Sequence, residues 1–209
     1  MYKIGFIDED EKDRLHFRQT FKDEFEIYSI EFDKNSTEDD LIREAFDSQV
    51  DILVIDYRMD AALGFNGDSI ARRLDEINPY FPKIIWTSHE GDAINFVDNV
   101  NLINDKDDST EKPDFFISKF NRLINDYYED ITNAEEKLRI LEEKRKTEGL
   151  TSYEEQEYVG VNNFLGKVFG GGEYLSGTFY SVDTNKKLDS LIEKTEQLLN
   201  KLSENNESV

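Results

Sequence analysis

Two acidic positions stand out for what they end. Ile52-Leu53-Val54-Ile55 is an unbroken apolar run that closes on Asp56, and the shorter run Lys3 to Ile7 closes on Asp8-Glu9-Asp10-Glu11. Runs this short, rich in β-branched residues, read as strands buried on both faces of a parallel sheet. Lys83 to Trp86 is a third such run and ends in Thr87-Ser88; Phe115 to Ser118 is read as a further strand, ending at Lys119. In open α/β sheets ligand chemistry gathers at the carboxyl ends of the strands. Carboxylates, a hydroxyl and an amine collected there are therefore candidates for it, the ordinary alternative being solvated polar residues that merely end strands.

The elements between these runs alternate. Helical spacing follows the first acidic stretch, with Leu15, Phe17, Phe21 and Phe25 as apolar contacts, and Glu26 to Phe32 alternates as a second strand. Thr37 and Asp40 form a capping box for a helix carrying Leu41, Ile42, Ala45 and Phe46. Gly64-Phe65-Asn66-Gly67 leads into a helix with Ile70, Ala71 and Leu74 that Asn78-Pro79 stops. Ala93 to Ile103 reads as a weak helix and residues 104 to 113 as a polar loop. Strands alternating with helices predict an α/β fold, a doubly wound five-stranded parallel sheet with right-handed crossovers.

Bulk composition narrows the function. The 209 residues are 37% hydrophobic, 12% aromatic and 34% charged, which supports a packed core. A formal net charge of −22 argues against nucleic acid and against anionic membrane surfaces as partners. With no cysteine there is no disulfide framework, thiolate zinc site or cysteine nucleophile, and His16 and His89 stand too far apart in sequence to suggest a histidine metal site. No apolar run approaches a membrane span and the N-terminus lacks a signal-peptide layout, so a cytoplasmic protein is expected.

Taken in order, Asp8-Glu9, Asp56, Thr87 and Lys119 resemble the chemical positions of the receiver domain of two-component response regulators. Asp56-Tyr57-Arg58-Met59 matches that family's Asp-x-x-Met, Gly67 opens the third helix as family members do, and Phe116 falls three residues before Lys119, where the family carries a switching aromatic. The resemblance covers residues 1–121 and implies a flavodoxin-like receiver. It implies that Asp56 is the phosphoacceptor for a histidine kinase and that Mg²⁺ is held by Asp8, Glu9, Asp56 and the backbone carbonyl of Arg58, with Asp10 an alternative to Glu9. It further implies that Thr87 and Lys119 bind the phosphoryl group and that Thr87 and Phe116 act as the switch. The chain would then be no enzyme beyond assisting its own phosphorylation and dephosphorylation. Three departures accompany the match. Glu9 stands where Asp is usual, Phe120 rather than Pro follows Lys119, and the stretch from Thr87 to Lys119 is longer than in the family.

Beyond Lys119 the pattern turns helical. Ile124, Tyr127, Ile131, Ala134, Leu138 and Leu141 alternate in steps of 3 and 4, a heptad seam that predicts a long helix to about Lys146. Ser152 and Glu155 suggest a capping box for a helix with Tyr158, Val161, Leu165 and Val168. Gly170-Gly171-Gly172 interrupts it, and a last helix starts at Asp183 or Thr184 and carries Leu188, Leu191, Thr195, Leu198 and Leu202, again in steps of 3 and 4. Gly171-Gly172-Glu173-Tyr174 resembles the signature loop of diguanylate cyclases but lacks its second acid, in a segment too short for that fold. Residues 122–203 are thus expected to form an all-α, coiled-coil-like module, with residues 204–209 a disordered tail. Output would run through this module to a protein effector, the heptad helices closing within the chain or pairing as a homodimer. Two other readings stay open: a scaffold with a vestigial receiver, and a phosphoryl sink or relay without output of its own.

Overall fold

The computed structural model describes residues 1–170. The expected interruption at Gly171-Gly172, the helix from Asp183 or Thr184 and the tail lie outside the described residues.

Five strands pair in parallel in the order β2-β1-β3-β4-β5: β1 (Lys3–Ile7), β2 (Glu26–Ser29), β3 (Ile52–Asp56), β4 (Lys83–Thr87) and β5 (Ile103–Asp105). This is the flavodoxin-like order of a doubly wound sheet. Successive side chains point to opposite faces, and each face carries its own core. Ile4, Phe6, Ile52, Val54, Ile84 and Trp86 face α1 (Glu11–Phe21) and the start of α7 (Pro113–Thr147), where Phe17, Phe21, Phe116, Phe120 and Ile124 complete an aromatic layer. Ile7, Leu53, Ile55 and Ile85 face α2 (Glu38–Asp47) and α4 (Gly67–Ile77), whose Leu41, Ile42, Ala45, Ile70, Ala71 and Leu74 are aliphatic.

Local signals set the helix boundaries. At α2 the Asp40 N–H donates to Thr37 Oγ1 while the Thr37 N–H donates to Asp40 Oδ2, closing the expected capping box. Asn78 ends α4 as its C-cap. A single-turn α3 (Asp60–Leu63) precedes α4, and the expected helix from Ala93 to Ile103 is instead a single-turn α5 (Glu90–Ala93), irregular chain and a 3₁₀ turn at Val100–Leu102.

The fifth strand lies elsewhere than the sequence pattern suggests. It is Ile103–Asp105, followed directly by a short α6 (Lys106–Glu111), and Phe115 to Ser118 belongs to the first turns of α7. Pro113 at the first helical position and apolar residues at Phe116, Phe120 and Ile124, each four apart, are the helical signals that the apolar run Phe115-Phe116-Ile117 masked.

The chain divides into two compact units, residues 1–130 and 131–209, whereas the resemblance alone covers residues 1–121. In the second unit, α8 (Ser152–Val168) pairs with the end of α7 through Lys137–Glu157 and Lys144–Glu154 ion pairs, both at 2.5 Å. Along the expected heptad positions Ile124 and Leu141 are buried, and Tyr127, Ile131, Ala134 and Leu138 partly so, with Ile124 in the aromatic layer on the sheet. Gly149, at φ +80°, makes the turn between the two helices, a conformation open to glycine at little cost. The capping box of α8 is Thr151 with Glu154, one residue earlier than the Ser152–Glu155 expectation. No helix among the described residues is long and apolar enough to cross a membrane.

Candidate functional site

The carboxyl edge of the sheet assembles its charge from four elements. Asp8 follows β1 and Asp56 ends β3; both are buried, at 1% and 5% exposure. Asp13 comes from the first turn of α1, and Lys106, directly after β5, reaches back between them. Its Nζ lies 2.8 Å from Asp8 Oδ2, 2.9 Å from Asp56 Oδ1 and 2.7 Å from Asp13 Oδ2.

Burial makes this cluster tense. Loss of hydration pushes the Asp56 carboxyl up to about 6, the Asp8 charge adds to the rise, and Lys106 offsets part of it. Asp8 is likewise raised, by burial first, against the pull of Lys106. Burial alone would lower Lys106, but Asp56 and Asp8 outweigh it and hold the ammonium above its ordinary range.

Asp56 is located by close packing. Gly67 N–H donates to the Tyr57 carbonyl at 2.9 Å, and a Cβ on Gly67 would stand 2.2 Å from the Asp56 carbonyl oxygen. Only glycine lets α4 start this close to β3. Thr87, buried at the end of β4, accepts the His89 N–H at 3.0 Å through its hydroxyl oxygen. In the sheet register Thr87 stands opposite Asp105, next to Lys106.

The remaining candidates fall elsewhere. Glu9 is exposed and lines a separate cavity of about 280 Å³ with Arg14, Glu31 and Asp33. Asp10 caps α1, its carboxylate accepting the Lys12 N–H at 2.7 Å. Arg58 pairs through its side chain with Asp92. Lys119 lies on α7, where its Nζ donates to Asn104 Oδ1 at 2.5 Å and partial burial lowers its pKa. Phe116 is on the same helix, its ring 4.7 Å from that of Trp86 in the aromatic core. The structure thus brings Asp8, Asp56, Thr87 and a lysine to one edge, and that lysine is Lys106, not Lys119. Sequence reading missed it because β5 has three residues, two of them Asn104 and Asp105, with no apolar run to mark it. The overlong stretch from Thr87 to Lys119 was the available signal. Asp13, five positions beyond Asp8 on a helix, had no sequence signal.

A hard divalent cation suits this donor set. Mg²⁺ takes one or two protein carboxylates and keeps several waters, and Asp8 and Asp56 offer two desolvated carboxylates whose raised pKa values a cation would relieve. Among the described residues no group of three or more acidic or histidine side chains is placed to hold a metal.

No protein-family model and no curated protein matches the chain. Among solved structures it is similar to a response regulator receiver domain protein from Clostridium thermocellum, at 17% identity, covering 60% of this chain and 95% of that one with a TM-score of 0.42. It is also similar to the RcsB response regulator of Salmonella typhimurium, described for conformational dynamism in DNA interaction, at 13% identity, 81% and 89% coverage and a TM-score of 0.46. Strand order 2-1-3-4-5, with an acid after β1, an acid ending β3, a threonine ending β4 and a lysine after β5, gives the chain the flavodoxin-like, doubly wound fold expected of a receiver.

Proposed function

We propose that the chain is a response regulator that accepts a phosphoryl group from a histidine kinase on Asp56. The observation that carries the reading is the buried Asp56 carboxylate at the end of β3, 2.9 Å from Lys106 and facing the charge of Asp8. With its pKa near 6, Asp56 is mostly ionised at neutral pH and able to act as a nucleophile. An Asp56 oxygen attacks phosphorus as the bond to the donor nitrogen breaks, and the negative charge spreads over the equatorial phosphoryl oxygens. The Lys106 ammonium meets that charge as a point cation, and the Thr87 hydroxyl, whose oxygen already accepts from His89, has its O–H to donate. Mg²⁺, held by Asp8 and Asp56, would neutralise the phosphoryl oxygens during transfer. The chain catalyses no other reaction, and output runs by protein contact through the helical module expected over residues 122–203, to an effector or a second copy.

Labelling tests this directly. With Mg²⁺ and acetyl phosphate, intact mass should rise by one phosphoryl group in the wild type and not in Asp56→Asn. Label retained in the variant would move the acceptor elsewhere. A scaffold with a vestigial receiver is the second reading, drawn from Lys106 already spanning Asp8 and Asp56 while Glu9 lines another cavity. It predicts no label on either protein.

A further inference from the structure

Three carboxylates surround the Lys106 ammonium, as many as it has N–H donors. They are not equivalent. Asp8 and Asp56 are buried at the strand ends, whereas the Asp13 side chain is 44% exposed and belongs to a helix. If Asp56 carries a phosphoryl group, one of its oxygens is committed to the acyl bond, and Asp8 is the remaining buried carboxylate for a cation. Asp13 has neither task. At this edge its carboxylate pairs with Lys106, at 2.7 Å.

We infer that Asp13 is a positioning residue that tethers Lys106 to α1 and competes with phosphoryl oxygens for its ammonium, setting how firmly the acceptor site holds a phosphoryl group. The inference rests on the phosphoacceptor reading of Asp56. The lysine follows β5 and its tether stands on α1, so a shift of the ammonium toward a phosphoryl group stretches or breaks the contact with the helix. Occupancy at Asp56 is thereby felt on α1, whose Phe17 and Phe21 line the aromatic core. A carboxylate half open to water is a ligand that can be exchanged at low cost, as exposed ion pairs are weak. Asp8, at 1% exposure, could not be released so cheaply.

The test uses the full chain with Mg²⁺ and beryllofluoride, which mimics an acyl phosphate, and measures its dissociation constant by titration. Asp13→Asn should bind beryllofluoride about two- to fivefold more tightly than wild type, and Asp13→Glu should return toward the wild-type value. Asp107→Asn removes an equal charge from the same small cavity, lined by Asp13, His16, Ser88, Lys106 and Asp107, and should shift the constant less. A second readout needs no metal: the Lys106 ammonium proton signal in NMR should exchange with water faster in Asp13→Asn. Unchanged affinity and unchanged exchange in Asp13→Asn, with wild type still binding and Asp56→Asn not, would overturn the tether and leave the acceptor reading standing. Equal shifts in Asp13→Asn and Asp107→Asn would reduce Asp13 to bulk charge and also overturn it. Failure of wild type to bind at all would sink both.

Discussion

The two ends of the sheet handle their acids differently. At the carboxyl end, Asp8 and Asp56 are buried and share one ammonium with Asp13. At the amino end, Asp51 precedes β3 and has partners of its own: Lys3 N–H donates to one of its oxygens at 2.7 Å and the Tyr128 hydroxyl to the other. That hydroxyl is held above its ordinary pKa, by burial first and then by the Asp51 carboxylate, so it stays a donor at neutral pH. Tyr2, stacked on Tyr128 at 6.3 Å, donates in turn to Asn125 and ties β1 to α7. One end is satisfied and therefore structural; the other holds more buried negative charge than its cation can cover, a condition that costs stability and is useful only if something else binds.

The largest effect should come from removing the shared cation. Lys106→Met leaves Asp8 and Asp56 buried without a counter-charge, and urea unfolding at pH 8 in EDTA should show a loss of about 3–5 kcal/mol. Lys119→Met, which removes a half-buried contact to Asn104, should lose about 1 kcal/mol or less. If the two lysines cost the same, the carboxyl edge is not the tense site described above.

Asp56→Asn should act in the opposite direction. Because its folded pKa, about 6, exceeds the ordinary aspartate value of 3.8, the folded chain binds more protons than the unfolded one between these two values. Wild-type stability therefore falls as pH rises through that window and stays lowered above it. The variant should be more stable than wild type by about 1–3 kcal/mol at pH 7.5, without Mg²⁺, and the gain should vanish near pH 4. A gain that persists at pH 4 would point to packing instead of charge. At the amino end, Tyr128→Phe removes one donor from a carboxylate that keeps another, and a loss of about 1 kcal/mol, flat from pH 6 to 8, is expected. A pH-dependent loss there would erase the distinction between the two ends.

How far the sequence disclosed this arrangement depended on how strongly each element was patterned. Strands buried on both faces announce themselves as apolar runs, which is why Asp8, Asp56 and Thr87 were legible at their ends. β5 is an edge strand of three residues, and Asn104 and Asp105 give it no such run. Ambiguity in short apolar runs did the rest, since Phe115-Phe116-Ile117 suits a strand or a buried helix face equally well. The long helix through Ile124 and Leu141 was readable because its apolar steps persist over several turns. Asp13 became visible only once α1 was placed beside Lys106, as proximity in space leaves no trace in a helix's own spacing.

Trp86 has an optical consequence. It is the one tryptophan of the chain, 3% exposed, enclosed by the rings of Phe17, Phe21, Phe116 and Phe120. It is also the register partner of Asp56 across β3 and β4 and the residue before Thr87. All the indole emission of the protein therefore arises from a dry aromatic layer one strand away from the Asp56 carboxylate. A change of charge or packing at that edge acts on a single chromophore with no second indole to dilute it, so stopped-flow fluorescence can follow events at Asp56 in the unlabelled chain.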